Sequence, residues 1–486
     1  MNMLCIDVGT TASKAQVFDE EGEILFYRSV ECPLITQNGE RYVDIVAITS
    51  AVKELIKEAA TSVEIDSVAF SSFGESCVVL DENDEVIAYP MLYTDTRGES
   101  EAKEIEQLFG RKSVFERTGT VPHSMYTVSK LMWLKNNDPR FETADKVFLI
   151  GDYFGYLLTG KRVIDYSLAA RTGVFNVKDK CFDKDMLKAI DLPIGLFSTP
   201  MPIGTVVGTV SEKAAKELSL TSECVLVLGG HDQVLACIGS GVTRAGECAD
   251  GMGTVECITA IFDKPKLDIA FGNMGYCVVP FLDDLYCTYM FNYTSNVVVN
   301  WFRKDVLHGY KGEYESQFEY LEGSSASSDV LLLPYFAGSA TPKQDMNAKG
   351  AILNLTDKTR DVDIYRAILE GTSFEMKVNL ETGSYYGINA KVLTATGGGA
   401  NSRLWLQIKS DILGLPVKTL RSSEGGLCGL AILSAVALSI ANDVDEAIKI
   451  FVRFGDTVTP SDEYKETYDK KYAKYKRLYD ILKEIN

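Results

Sequence analysis

The chain has 486 residues, more than one hydrophobic core ordinarily serves, so two or three domains are expected and two large ones are the simplest division. Apolar residues are 46% and charged residues 24%, a globular balance that excludes a disordered, collagen-like or coiled-coil chain. The net charge of −19 repels phosphate backbones and anionic lipid, which argues against nucleic acid or a membrane surface as the main partner. A small anionic ligand is still admissible, because local backbone dipoles can hold one.

Eleven cysteines are scattered, odd in number and never spaced Cys-x-x-Cys, and three histidines lie far apart. A disulfide framework or a zinc site is not expected, and a reducing cytoplasm suits such a chain. Met1-Asn2-Met3-Leu4 lacks the basic segment and long apolar core of a signal peptide.

In chain order, Met3 to Val8 reads as a strand, Gly9-Thr10-Thr11 as a turn, and Ala15 to Phe18 as a second strand. A turn at Asp19 to Gly22 leads to a third strand from Glu23 to Val30. From Asp44 to Ala60, Ile45, Ile48, Val52, Leu55, Ile56 and Ala59 keep the helical period, with Asp44 as N-cap. Val68 to Ser71 is the next strand, and the alternation means α/β layers. Gly155 to Arg162 is close to a phosphate-binding P-loop, but Arg162 replaces the required Ser or Thr and the centre reads as helix. No GxGxxG follows the first strand, so a nicotinamide-binding domain has no support.

Val225 to Leu228 is an apolar strand that enters a double-glycine turn, Gly229-Gly230-His231-Asp232-Gln233. Asp232, fixed by a strand end among small neighbours, suits a general base better than His231, which reads as a structural histidine. A shift of 244 residues places Gly9-Thr10 on Gly253-Thr254 and Val17-Phe18-Asp19 on Ile261-Phe262-Asp263. The two halves therefore read as similar α/β domains facing a shared cleft, with the boundary near Gly241 to Gly246. Gly323 to Ser328 reads as a surface loop. Gly397-Gly398-Gly399-Ala400 follows a strand at Val392-Leu393 and precedes a helix starting near Ser402, a shelf on which a flat ligand can lie. Leu427 to Ala441 reads as a buried core helix. Tyr464, Tyr468, Tyr472, Tyr475 and Tyr479 form the docking stripe of a terminal helix.

Asp7 ends the first strand beside a turn whose amides and two hydroxyls can surround a phosphate oxygen, with Lys14 at the same edge; a plain hairpin is the competing reading. Two such turns, two carboxylates and a glycine shelf make a phosphotransferase cleft. The sequence also resembles the FGGY carbohydrate kinases, of the sugar kinase, actin and hexokinase superfamily. Met125, Thr127, Lys130, Leu131, Trp133, Leu134, Asn136 and Asn137 match one family signature. Gly350, Ile352, Leu355, Asp363, Ile364, Ala367, Ile368, Leu369 and Glu370 match the second, with Asn354 where the family has Gly.

The resemblance implies an α/β fold of two actin/hexokinase-like, ribonuclease H-like domains flanking a central cleft. Residues 1–242 would bind sugar and carry the base, and residues 243–486 would bind ATP. It implies ATP- and Mg²⁺-dependent transfer of the γ-phosphoryl group to a primary hydroxyl of a small ketose or polyol. By the same resemblance Asp232 accepts the hydroxyl proton and Asp7 orients Mg²⁺. Thr10, Thr11, Lys14, Gly253 and Thr254 surround the phosphates, and Gly398, Gly399, Ala400 and Asn401 lie beside adenosine. Asp232 needs no strongly raised pKa, because the proton leaves late in a loose transition state. Glu75, Ser76, Asp95, Met125 and Gln233 are the sugar-side candidates, with Asp95 either facing substrate or paired with Arg97. Gly74 stands where glycerol kinases have Arg and is expected to open room for a longer substrate. A xylulose-like ketose comes first, with glycerol or another polyol and gluconate behind it. Family precedent implies a homodimer. A non-catalytic ATP-binding switch is the reading from another class, and a DNA-binding regulator fails on charge.

Overall fold

The apolar run Met3-Leu4-Cys5-Ile6 is buried on both faces, which requires a strand covered on two sides. In the computed structural model, which describes residues 1–37, 40–307, 328–421 and 424–484, that run is the centre of a six-stranded sheet. Its strands are β1 (Met3–Val8), β2 (Ala12–Phe18), β3 (Ile24–Glu31), β4 (Ser67–Ser72), β5 (Val206–Thr209) and β6 (Val225–His231), in the spatial order β5-β6-β4-β1-β2-β3. β2 starts three residues earlier than its apolar run, because pairing with β1 carries Ser13 and Lys14 into the ladder.

A second sheet contains β7 (Glu247–Met252), β8 (Glu256–Phe262), β9 (Val279–Pro280), β10 (Tyr286–Asn292), β11 (Val392–Thr396), β12 (Val417–Leu420) and β13 (Phe454–Val458). Its order is β9-β10-β8-β7-β11-β12-β13. Apart from the edge strand β9 it repeats the first sheet strand for strand: an antiparallel meander, two parallel strands, and a last antiparallel one. β7 and β8 lie 244 residues after β1 and β2 at both ends, so the repeat legible around two Gly-Thr turns extends to whole strands.

Helix α1 (Ile45–Ser62) buries the six expected apolar residues, and the Asp44 carboxylate accepts the Ala47 amide at 3.0 Å. The first five residues of the P-loop look-alike, 155–159, are the end of helix α2 (Ile150–Thr159), which Gly160 caps in the left-handed region. Helix α3 (Asp232–Gly239) leaves β6 directly. In the second half come α4 (Asp361–Tyr385), α5 (Arg403–Leu413), whose N-cap Ser402 accepts the Trp405 amide, and α6 (Gly425–Ala437). The buried helix expected over 427–441 therefore ends earlier, before Ser439 turns into the left-handed region at φ 59°. Although α6 belongs to the second half of the chain, it packs on β1, β4 and α3 of the first.

Helix α7 (Lys465–Tyr475) docks Tyr468, Tyr472 and Tyr475 around Phe374 of α4. The stripe also supplies hydroxyls: Tyr475 donates to Glu375 at 2.6 Å and Tyr472 to Glu381 at 2.8 Å. Asn354, the departure from the family's Gly, sits at φ 64°, and Asn tolerates that region better than other side chains, so the turn survives. Residues 323–327 of the expected surface loop, and His308, lie outside the described residues. Among the described residues no helix is long and apolar enough to cross a membrane. All eleven cysteines are free thiols.

Candidate active site

The expected double-glycine turn is not a turn. Gly229 and Gly230 continue β6, and Asp232 opens α3. The glycines are needed for close approach: a Cβ on Gly229 would lie 1.9 Å from the Phe70 carbonyl oxygen, where β6 skips register against β4. Asp232 thus projects from a strand-to-helix junction. Its own Oδ1 accepts the Gln233 amide at 2.6 Å, and 41% of its side chain remains open.

Desolvation raises the Asp232 pKa to about 7, helped by the neighbouring carboxylates Asp7 and Glu75 and opposed by the Gln233 amide and Arg171. Water at the open face moderates that shift, but burial and two nearby negative charges push in the same direction. The role did not require a strongly raised pKa, and the elevation comes from burial and from the carboxylates Asp232 keeps as neighbours. His231 is buried, its pKa is held well down by desolvation and by Arg171, and its Nδ1 meets the Tyr289 hydroxyl at 3.0 Å. It is a neutral structural group, as expected.

Glu75 sits at φ 65° and is buried, and its Oε1 accepts Arg171 Nε at 2.6 Å and also Arg171 Nη2. Arg171 lies over the rings of Tyr126 and Tyr289, at 5.2 and 5.9 Å from their centroids. The signature residue Thr127 fastens this arrangement, donating its hydroxyl to the Glu75 carbonyl at 2.8 Å. Gly74 does not open room for substrate. A Cβ there would lie 2.8 Å from Arg171 Cγ, so the space is filled by an arginine from a distant segment.

Asp7, half-buried at the end of β1, has a pKa raised by desolvation; Ser71 and Lys14 pull it down, while Glu424 pushes it up. Lys14 is not free at the turn: both Glu424 oxygens hold its Nζ, at 2.9 and 3.0 Å. Thr10 and Thr11 are the central residues of the turn that the Gly9 amide closes on the Ala12 carbonyl. The second turn, with Gly253 half-buried and Thr254 exposed, is clasped by Ser295 and Asn296, whose amides donate to the Thr254 and Gly253 carbonyls. The glycine shelf packs directly on it. Gly397, at φ +80°, brings its backbone so close that a Cβ would lie 2.9 Å from the Met252 carbonyl oxygen. Gly398, Gly399, Ala400 and Asn401 form one 3-10 turn, beside a groove of about 620 Å³ lined also by Arg403, Gln407, Thr419 and Leu420.

Two sugar-side candidates have side chains engaged otherwise. The Ser76 hydroxyl is buried and donates to the Met91 carbonyl at 2.7 Å. Asp95 pairs with Arg97, at 2.9 Å from Nε, so the internal ion pair is the arrangement adopted. Met125 is half-buried, its amide donated to His123 Nδ1. Sequence reasoning missed Arg171, whose only signal was a lone cation in the apolar run Leu168 to Phe175. It also missed the buried cluster behind the second turn, where Lys409 meets Asp250 at 2.5 Å and also Glu256, whose other oxygen accepts Ser295 Oγ at 2.9 Å.

Duplicated six-stranded sheets, a carboxylate at a strand-to-helix junction and two Gly-Thr turns define a two-domain sugar kinase of the actin/hexokinase type. Residues 2–239 match the N-terminal domain of the FGGY family of carbohydrate kinases, and residues 252–438 match its C-terminal domain. The chain belongs to that family and is an enzyme that phosphorylates a small sugar or polyol, with ATP as donor. It is 26% identical over 496 residues to a xylulose kinase of Staphylococcus epidermidis, covering 99% of this chain and 97% of that one. It is 29% identical over 461 residues to a gluconokinase of Bacillus subtilis, covering 91% and 89%. A ligand-bound xylulose kinase from Lactobacillus acidophilus superposes with a TM-score of 0.90 at 26% identity, covering 99% of this chain and 98% of that one.

Proposed function

We propose that the protein transfers the γ-phosphoryl group of ATP to a primary hydroxyl of a neutral ketose, xylulose or a close analogue. The observation that carries this is the Glu75–Arg171 ion pair beside Asp232. Arg171 is close enough to act on Asp232, but Glu75 neutralises it, so a substrate carboxylate would have to compete with a buried partner that accepts two Arg171 donors on one oxygen. A hydroxylated neutral chain needs no such exchange. Gluconate is the second reading, favoured by the similarity to a gluconokinase.

Asp232 takes the proton from the attacking hydroxyl as the bond to phosphorus forms and the bond to ADP breaks. A pKa raised to about 7 leaves Asp232 about half ionised at neutrality and makes it a stronger base for that proton. Thr10, Thr11 and Lys14 on one turn and Gly253 and Thr254 on the other hold the phosphates. Gly398, Gly399, Ala400 and Asn401 carry the adenosine beside the adjoining groove. Asp7 fits Mg²⁺, which needs only one or two carboxylates plus the phosphates, and the ion would neutralise the charge shared with Asp232 and Glu424. On the sugar side, Glu75, Met125, Asp232 and Gln233 remain; Ser76 and Asp95 act only through the groups they hold. The same reading divides the chain into units 1–242 and 243–486, supported by the duplicated sheets. It assigns a cytoplasmic location, which eleven free thiols suit, and a homodimer, which sedimentation would test.

ADP release measured with D-xylulose, D-ribulose, glycerol and D-gluconate tests the proposal. D-xylulose should give the highest kcat/KM, and Asp232→Asn should lower turnover by about 10²-fold or more. Gluconate outrunning every neutral acceptor would overturn the substrate class. Near-normal turnover in the variant would overturn the base, and slow hydrolysis indifferent to all acceptors would mark a switch.

A further inference from the structure

Behind β6 lies a buried acidic pair that the phosphoryl-transfer scheme does not use. Asp152, in the first turn of α2, and Asp165, which caps the short helix Tyr166–Ala169, are both almost fully buried. They line one cavity of about 10 Å³, together with Gly229 and Gly230 of the strand that delivers Asp232. Asp152 Oδ1 and Asp165 Oδ2 have no hydrogen-bond partner. Two buried acceptors beside one cavity need a donor between them, and no lysine or arginine among the described residues is bonded to either. Asp152 also acts on the buried Cys77 thiol, which cannot supply a positive charge.

The two carboxyls are not equivalent. Asp165 Oδ1 accepts the Ser167 amide at 2.7 Å, the Leu168 amide at 3.2 Å and the Ser167 hydroxyl, a set of donors that favours the ionised form. Asp152 accepts Ser198 Oγ at 2.6 Å, with only weaker support from the Leu149 backbone and its own. A proton on Asp152 therefore satisfies both orphan oxygens, directly or through the single water that the cavity has room for. Ser167 Oγ in turn accepts the His231 amide at 3.0 Å, the last amide before Asp232. A Cβ on Gly230 would lie 2.9 Å from both Asp165 Oδ1 and Ser167 Oγ, so this relay touches the strand where it turns into α3.

We propose that Asp165 and Ser167 are positioning residues that fix the strand-to-helix junction bearing Asp232, and that a permanently protonated Asp152 holds Asp165 in place from behind. Burial raises both carboxyls, Asp165 to about 6 and Asp152 further, in the order the hydrogen bonds require. The inference rests on Asp232 being the base.

Two measurements test it. With the acceptor that turns over fastest in the panel above, Ser167→Ala should lower kcat of the folded enzyme about tenfold or more, with KM for ATP within about twofold. Asp165→Asn, which keeps an acceptor, should lose less than Asp165→Ala. Unchanged kcat in Ser167→Ala while Asp232→Asn is dead would overturn the relay alone; an active Asp232→Asn would overturn the underlying reading instead. The second measurement is equilibrium unfolding of Asp152→Asn and wild type from pH 5 to pH 8. In the wild type the native state keeps a proton that the unfolded chain releases above about pH 4, so its stability falls as pH rises. The variant lacks that loss, and its advantage in the unfolding constant should grow by about tenfold per pH unit. A difference that does not change with pH would overturn the protonated Asp152.

Discussion

Replacing Lys409 by Met should destabilise the second half of the protein by an amount that depends on pH. Lys409, Asp250 and Glu256 are all completely buried, and one ammonium serves two carboxylates. Glu256 is already pushed upward by desolvation, against the pull of Lys409. Methionine keeps the length of the lysine stem, so the cavity contribution is small and the loss is electrostatic. Without the cation, the cheapest relief is for the native protein to hold one proton more than the wild type. Protonating a carboxyl of ordinary pKa at pH 7 means about three units at about 1.4 kcal/mol each, or about 4 kcal/mol. That falls within the range of about 3–5 kcal/mol for breaking a buried ion pair. At pH 5 the same proton costs only about 1.4 kcal/mol, so the variant should recover by roughly 2.7 kcal/mol on acidification. Urea unfolding followed by the fluorescence of Trp405, buried on the same helix, would measure both values. A loss below about 1 kcal/mol, or one equal at pH 5 and pH 7, would refute the claim that these three charges are shut off from water.

The pH profile of the reaction should carry the same kind of signature. Asp232, raised to about 7 in the free enzyme, should give kcat/KM an acid limb of unit slope that levels near that pH. Because a raised carboxyl favours folding below its unfolded pKa and loses that contribution as pH rises through its folded value, Asp232→Asn should be more stable than wild type at pH 8; equal stability would contradict the shift. For the sugar pocket, Glu75→Gln leaves the Arg171 charge without its counter-charge. The ratio of gluconate to xylulose kcat/KM should rise about tenfold or more, with a stability loss of about 3–5 kcal/mol, and an unchanged ratio would show that Arg171 does not reach the acceptor.

What was legible in the sequence was whatever depends on neighbours along the chain. The β1 and β2 strands, the Asp44 cap and the six buried positions of α1 follow from period and turn chemistry alone. The 244-residue repeat was visible only at a few residues, yet it fixed the whole topology, because each half must close the same sheet. What escaped depends on contacts between distant segments. Nothing near Gly74 says that Arg171, ninety-seven positions on, will fill the space beside it. Nothing in Gly229-Gly230 distinguishes a turn from a strand pressed against the Phe70 carbonyl. The same cause explains the pKa of Asp232: its titration is set first by burial and then by charges gathered from β1, from the segment after β4 and from Arg171, and only the folded chain brings these together. The site was therefore readable as a list of residue types, while its electrostatics was not, and in a reaction that runs on alignment and charge the second half of that information decides substrate and rate.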